Sequence, residues 1–327
     1  MTPDLSIVIP TYNRPGDLEL VIDALMRQQT GGVSYEVIVA DNNSRADTRA
    51  VVDRALARGT TAPLRYVRDP RPGVSNARNS GVSIARSPLI AFLDDDGVPV
   101  ETWVREVKGA FDEHPDVDCF GFRVRPVWKT PPPSWLTPAD SGPIAIQDRP
   151  NPARLDCDHA WACLSSANLA CRREAFDEVG GFSPLYRRSQ DREFEQRLWR
   201  AGKRGLYLPI AEVLVDVPSN RLTKAYHRKW HTVVAHYHAL MRYPDTIDAS
   251  GRMIPYGTYR TWLGVPRHMY RACLTHVVGW LRAAFTGRSN ERFQHELRIR
   301  SYLSFFRTRW ATTWKAEPGS KIPRAIS

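Results

Sequence analysis

The chain has 327 residues, of which 42% are hydrophobic and 25% charged, enough to bury a core, so whole-chain disorder and a disulfide scaffold are excluded. Its five cysteines lack C-x-x-C spacing, which argues against a zinc site and indicates a reducing compartment. The net charge of +11 is uneven, because Ser219–Ser327 carries 19 Lys and Arg against 5 Asp and Glu. This asymmetry predicts two functional regions.

The N-terminal part alternates between short apolar runs and segments with helical spacing. Strands are predicted at residues 5–10, 35–40, 64–67 and 89–93, and helices at 17–29, 48–58 and 75–85. This alternation is typical of βαβ units, in which helices cover both faces of a mostly parallel sheet. The predicted fold class is therefore α/β and Rossmann-like.

The remaining elements follow a break in this pattern. A Pro/Trp-rich stretch at residues 128–135 predicts a long connection with a lid or acceptor role. Helices are then predicted at 173–179 and 190–201, and strand-like pieces at 205–209 and 213–217. The chain beyond Arg221 is predicted to be helical.

Three polar clusters follow predicted strands of the N-terminal part. They are Thr11-Tyr12-Asn13, Asp41-Asn42-Asn43 and Asp94-Asp95-Asp96. In open α/β sheets, ligands bind outside the carboxyl ends of the strands. We therefore expect the three clusters to share one edge of the sheet and to form a ligand site.

The strongest chemical signal is the acidic triplet Asp94-Asp95-Asp96. Adjacent carboxylates repel one another, and partial burial makes that repulsion costly unless a counter-charge is present. Carboxylate oxygens suit hard divalent ions such as Mg2+ or Mn2+. The alternative is an exposed acidic turn or a helix cap.

Two further charged residues have open interpretations. Arg78 lies on the helix that leads into the acidic strand and could hold a diphosphate, or it could form a surface salt bridge. Asp191 begins a polar helix and could be a general base or a simple N-cap.

Several motifs in a fixed order resemble the family 2 glycosyltransferases of the GT-A fold. The resemblance covers about residues 4–225. It rests on Ile7-Val8-Ile9-Pro10-Thr11-Tyr12-Asn13-Arg14, Val37–Ser44, Ala77-Arg78-Asn79-x-Gly81, Phe92–Asp96, Ala167–Arg173, Gly180-Gly181-Phe182 and Gln190-Asp191-x-Glu193-Phe194.

This resemblance implies an inverting transfer of a sugar from a nucleotide-diphosphate donor to an acceptor hydroxyl. It implies that Asp191 is the catalytic base and that Asp96 binds a divalent cation, Mn2+ or Mg2+. The implied donor-binding residues are Thr11, Tyr12, Asn13, Arg14, Asp41, Asn43, Arg78, Asp94 and Asp95.

Two positions depart from the family pattern. Gln190 stands where the family usually has Glu, so the proposed base has a neutral neighbour. Many members carry a histidine near residues 213–218 that completes the metal site, and here Val215-Asp216 stands there. Asp216 is the substitute metal ligand that this position offers.

Residues 226–327 are predicted to form a basic, amphipathic, helical C-terminal region after a GT-A catalytic domain at 1–225. Within that domain we expect a nucleotide-sugar half at about 1–97 and an acceptor half at about 98–225. Amphipathic helices are predicted at 266–285 and 292–310. They either pack on the catalytic core as an ordinary subdomain or also contact an anionic membrane.

The resulting hypothesis is a metal-dependent glycosyltransferase of surface polysaccharide or glycolipid synthesis. Its partners would be a nucleotide-diphospho-sugar and a saccharide or lipid-linked acceptor, with no nucleic acid. With neither a signal peptide nor a long apolar run in the sequence, we expect a cytoplasmic protein with a peripheral contact at the inner membrane face as an option. The alternative is a catalytically silent relative that binds membrane or nucleic acid through its basic region.

Overall fold

A computed structural model describes residues 2–45 and 47–315. The chain divides into two compact units. The first takes residues 1–131 and 144–218, and the second takes residues 132–143 and the chain from Ser219 on. Residues 316–327 of the predicted C-terminal region lie outside the described residues.

The first unit is built around one mixed sheet of nine strands. They are β1 Leu5–Thr11, β2 Tyr35–Asp41, β3 Leu64–Arg68, β4 Leu89–Leu93, β5 Gly97–Pro99, β6 Cys119–Val127, β7 Ala153–Leu155, β8 Asn168–Arg172 and β9 Gly205–Asp216. The order is β3-β2-β1-β4-β8-β6-β9-β5, with β7 paired to β9. The β1–β2, β2–β3, β1–β4 and β6–β9 pairs are parallel, and the others are antiparallel.

Six helices belong to the same unit. They are α1 Pro15–Met26, α2 Thr48–Arg58, α3 Val74–Ile84, α4 Trp103–Glu113, α5 Arg173–Val179 and α6 Gln190–Arg200. The α3 helix packs closely on the sheet at Gly81, where an added Cβ would come within 2.4 Å of Val8 Cγ1. The predicted α/β fold is confirmed, because β1 to β4 alternate with α1 to α3 as expected.

The predicted break between strands at residues 205–209 and 213–217 is wrong. The segment is one continuous strand, β9, although Pro209 lies within it. The register against β6 shifts between Phe122 and Val124, and Ala211 has a positive φ of 47°. An irregularity of this kind accommodates a proline, because the residue there does not need to donate a ladder hydrogen bond.

The second unit is mainly helical. It contains α7 Lys224–Leu240, α8 Arg267–Phe285, α9 Ser289–Lys315 and a small hairpin of β10 Thr261–Trp262 with β11 Val265–Pro266. Its core includes Ala235, Ala239, Val265, Met269, Cys273, Phe305 and Phe306. Over the described residues, none of the helices has both the length and the apolar character that a bilayer crossing requires.

Candidate functional site

The carboxyl ends of β1, β2 and β4 bring the predicted polar clusters to one edge of the sheet. Thr11 ends β1 directly beside Asp41 at the end of β2. The β1 and β4 strands are parallel neighbours, with Val8 opposite Phe92, so the residues after Leu93 emerge at the same edge. The expected convergence of the three clusters is therefore a feature of the fold.

At this edge Asp41 is held by its own loop and by β3. Its side chain is buried, its Oδ1 accepts a hydrogen bond from Ser44 N at 2.9 Å, and its Oδ2 accepts one from Tyr66 Oη at 2.7 Å. Burial and this carboxylate together raise the pKa of Tyr66 to about 12. Tyr12, by contrast, is 55% exposed at the surface of the same edge.

The two predicted donor-binding asparagines shape these loops. Asn13 and Asn43 have φ angles of 56° and 60°, in the left-handed region that asparagine tolerates better than most residues. Asn13 Oδ1 accepts a hydrogen bond from Arg45 N at 2.7 Å, and Asn43 Oδ1 accepts one from Arg68 Nη2 at 2.5 Å. Their side-chain oxygens therefore already hold the loops that flank Asp41.

Arg14 supplies positive charge to the acidic triplet. Its Nη1 lies 2.6 Å from Asp96 Oδ2 and 3.2 Å from Asp95 Oδ1. Asp95 is only 6% exposed, and this burial raises its pKa to about 6, against the opposing effects of Thr11 and Arg14. The triplet is therefore not an exposed acidic turn, because one of its three carboxyls is buried and two share a guanidinium.

Arg78 is buried behind Asp94. Its side chain is 2% exposed, and its Nη2 donates a hydrogen bond to Asp94 Oδ1 at 2.8 Å. The guanidinium also lies over the Phe182 ring, 5.3 Å from its centroid. Its Nε and Nη1 have no hydrogen-bond partner among the described residues. Buried donors without partners are rare in proteins, so these two nitrogens mark a place where a ligand could supply the acceptor.

Asn79, the residue after Arg78, fixes the position of Phe182. Asn79 donates a hydrogen bond from Nδ2 to the Phe182 carbonyl at 2.8 Å, and its Oδ1 accepts one from Phe182 N at 3.0 Å. An added Cβ on Gly181 would come within 2.9 Å of Asn79 Oδ1. The Gly180-Gly181-Phe182 turn is therefore clamped to α3 and presents its aromatic ring to Arg78.

The charge of Asp191, in the first turn of α6, affects the pKa of Asp94 in the triplet. Burial is the main reason that the pKa of Asp94 is raised, and the charges of Asp96 and Asp191 raise it further against the lowering effect of Arg78. Asp191 Oδ1 accepts a hydrogen bond from Arg192 N at 2.9 Å. The charge of Asp191 therefore acts on the carboxyl that Arg78 binds.

Glu195 is a buried carboxyl that the sequence analysis missed. It lies one helical turn after Asp191 and is 1% exposed, and its Oε1 accepts a hydrogen bond from Leu164 N at 2.8 Å. Burial, and next the charge of Asp191, raise its pKa well above the usual range. The i, i+4 spacing from Asp191 was the available signal, since these positions share one helix face.

Asp216 lies across from the triplet in the β5–β9 ladder. Gly97 pairs with Val215 in antiparallel register, so a continuation by one residue sets Asp216 opposite Asp96. Its Oδ2 is 2.5 Å from Lys129 Nζ, and about half of its side chain is exposed. Both Asp96 and Asp216 therefore have cationic neighbours, Arg14 and Lys129.

A different cluster also groups potential metal ligands. Within the described part of the chain, Asp156, Cys157 and Asp158 have ligand atoms that all lie within 4.8 Å of one another. However, Asp156 is already paired with Arg154 at 2.6 Å and with His159 at 3.1 Å. The carboxylate oxygens of Asp156 are therefore already engaged by residues of the same loop.

Comparisons with known proteins identify the family. A family model described as "Glycosyl transferase family 2" matches residues 6–180. A validoxylamine A glucosyltransferase of Streptomyces hygroscopicus subsp. limoneus is 39% identical over 110 residues, which are 33% of this chain and 24% of that protein. A pre-mycofactocin glycosyltransferase of Mycobacterium tuberculosis is 27% identical over 214 residues, 65% of this chain and 43% of that protein. The chain thus spans less than half the length of either relative.

Among solved structures, a mannosyltransferase from Pyrobaculum calidifontis in complex with GDP-Man and Mn2+ has the same fold. The TM-score is 0.62 at 18% sequence identity, and the match covers 95% of this chain and 88% of that chain. At this level of identity the likeness concerns the fold.

Proposed function

The chain belongs to glycosyl transferase family 2, and on that premise we propose that it moves a sugar from a nucleotide-diphosphate donor to an acceptor hydroxyl with inversion at the sugar carbon. The observation that carries this proposal is the pairing of the buried Arg78 with Asp94 at the carboxyl edge of the sheet, where the charge of Asp191 also acts on Asp94. A glycosyltransferase needs an anion-binding group and a base at one place, and Arg78 and Asp191 would supply them.

The donor would bind along the edge formed by β1, β2 and β4. Asp41 and Thr11 stand at the ends of neighbouring strands and would face the nucleoside, with Tyr12 at the surface beside them. Arg78 would meet the base or the diphosphate through its unpartnered Nε and Nη1, each donating a separate charge-assisted hydrogen bond because these two N–H groups lie on different edges of the guanidinium. Asp94 would face the ribose.

The residue types at this edge fit a divalent cation. Asp96 and Asp216 are carboxylates on adjacent strand ends, and Arg14 and Lys129 now neutralise them. Oxygen ligands of this kind suit Mg2+ or Mn2+. When bound, such an ion would offset the negative charge on the departing nucleotide diphosphate.

Asp191 would serve as the general base. The acceptor oxygen attacks the anomeric carbon on the face opposite the diphosphate, the new carbon–oxygen bond forms as the carbon–phosphate-oxygen bond breaks, and the hydroxyl proton passes to Asp191. A single displacement of this kind inverts the configuration. The effect of the Asp191 charge on the pKa of Asp94 supports this assignment, because the base must lie near the bound donor.

We propose a saccharide or lipid-linked hydroxyl as the acceptor, in surface polysaccharide or glycolipid synthesis. Related proteins named for such chemistry include the O-antigen biosynthesis protein RfbC of Myxococcus xanthus, 26% identical over 292 residues. A catalytically silent nucleic-acid-binding role is less favoured, because a carboxylate-lined edge repels polyanions.

The test is transfer or slow hydrolysis of radiolabelled nucleotide sugars with Mn2+, after a thermal-shift screen of donors. Asp191→Asn should lower kcat by about 10²–10⁴-fold with donor affinity retained, because only the proton acceptor is lost. Asp96→Ala should abolish metal-dependent turnover. Asp112→Asn, on the exposed side of α4, is the matched control and should remain active. Normal turnover by Asp191→Asn would overturn the base assignment.

A further inference from the structure

The helix α8 has an unusual distribution of charge. Its 19 residues, Arg267–Phe285, include three arginines and neither aspartate nor glutamate. One face, with Met269, Cys273 and Ala283, is buried in the helical unit. The opposite face is not covered by any described part of the chain.

That opposite face carries a continuous apolar stripe. The exposed fractions are 63% for Leu274, 39% for Val278, 44% for Leu281 and 89% for Phe285. At 100° per residue, these four positions lie about 120–180° around the helix axis from Met269. They therefore form one line along the outer side of α8. Exposed apolar groups in a contiguous line are typical of an interaction surface.

Arginines accompany this stripe. By the same geometry, Arg271 and Arg282 lie about 200–220° from Met269, along one border of the stripe. Arg267, about 160° from Met269, is in line with the stripe itself at the start of the helix. All three side chains are exposed, and none forms an ion pair with a described residue. The surface therefore offers apolar side chains and uncompensated positive charge together.

We propose that this face of α8 binds the surface of an anionic lipid bilayer, with the helix lying in the plane of the membrane. Leu274, Leu281 and Phe285 would enter the boundary between head groups and acyl chains, and the arginines would meet lipid phosphates. A second copy of the same face is a poor occupant, because a two-fold contact would bring arginines against arginines with no acid on α8.

The structure decides which apolar residues of α8 are exposed. The sequence pattern at 266–285 groups Cys273 and Val277 with Leu274 on one apolar face, but Cys273 is buried in the helical core. Val278, on the outer face, belongs to the binding stripe instead. The membrane contact requires neither the donor nor sugar transfer, so it can be tested separately from catalysis.

The experiment is co-sedimentation of the full chain with phosphatidylcholine vesicles that contain 30% phosphatidylglycerol, against pure phosphatidylcholine vesicles. We expect binding to the anionic vesicles only, weakened by added salt. Leu274→Asp with Phe285→Asp should lower the partition coefficient at least about tenfold, because both apolar anchors are lost. Arg271→Gln with Arg282→Gln should also lower it about tenfold or more.

Leu20→Asp is the matched control, since Leu20 is 59% exposed on α1 and should not affect vesicle binding. Circular dichroism should show that every variant is folded, because all the substituted side chains are exposed. Equal binding of Leu274→Asp with Phe285→Asp and the wild type would overturn the proposal. A second result would also overturn it. If light scattering shows a dimer that Leu274→Asp with Phe285→Asp converts to a monomer, and vesicle binding does not depend on vesicle charge, the face is a self-association surface.

Discussion

Replacing Arg78 with methionine separates the stability role of this arginine from its proposed donor contact. The change removes the 2.8 Å hydrogen bond to Asp94 and leaves that carboxyl without its counter-charge. Breaking a buried ion pair costs about 3–5 kcal/mol, and the 34% exposure of the Asp94 side chain favours the lower end of that range. We therefore expect a folded protein whose melting temperature is lowered.

The effect on donor affinity is expected to be larger than a stability defect explains. Nε and Nη1 are the unpartnered nitrogens, and a hydrogen bond to a charged group contributes about 1.5–3 kcal/mol. Loss of two such bonds corresponds to about 10²–10⁴-fold weaker binding of the nucleotide sugar. Isothermal titration calorimetry with Mn2+ and the donor that stabilises the wild type measures this difference directly.

Two further variants make the Arg78 experiment decisive. Arg78→Met with Asp94→Asn removes the uncompensated charge and should recover stability but not binding. Arg173→Met is the matched control, because the Arg173 guanidinium donates to the carbonyls of Ser87, Val82 and Ala85 and should affect stability alone. If a folded Arg78→Met protein binds the donor within threefold of the wild type, the free nitrogens are not donor contacts.

Four other substitutions have defined outcomes. Glu195→Gln should raise the melting temperature more at pH 8 than at pH 5. The pKa of Glu195 is raised in the folded protein, so the wild type is most stable at low pH, where this carboxyl is neutral, and it loses that stability as pH rises. Glutamine is neutral at both pH values. Burial lowers the pKa of His231 to about 4. The wild type should therefore lose about 3 kcal/mol of unfolding free energy as pH falls from 6.5 to 4, because the unfolded chain binds the proton first. Urea denaturation at each pH should show no such loss in His231→Gln. Asp216→Ala should weaken Mn2+ binding in calorimetry about tenfold or more, whereas Lys129→Ala should strengthen it, and equal effects of the two would exclude Asp216 as a ligand.

The elements of the N-terminal part were predictable because their signals are local. The β1, β2 and β4 strands are buried along their whole length, and buried strands have continuous apolar runs that the sequence displays. The edge on which Thr11, Asp41 and Asp94 emerge also followed, since parallel strands end on the same side. By contrast, Pro209 suggested a strand end, and only the irregular pairing of β6 with β9 allows that strand to continue.

Residues of the site that depend on distant contacts were not predictable. Glu195 looks like one more polar residue of α6, and only its contact with Leu164 N and its burial make it an unusual carboxyl. The spacing from Asp191 places Glu195 on the same helix face, but its burial has no signature in the neighbouring residues.

The sequence by itself determined the alternation of strands and helices, the polar ends of those strands and the family to which the chain belongs. The tertiary structure decided which charges meet: Arg14 with Asp95 and Asp96, Arg78 with Asp94, and Lys129 with Asp216. The physical reason is the range of the forces involved. Hydrophobic periodicity acts over a few residues, whereas burial, pKa shifts and strand register depend on partners from elsewhere in the chain.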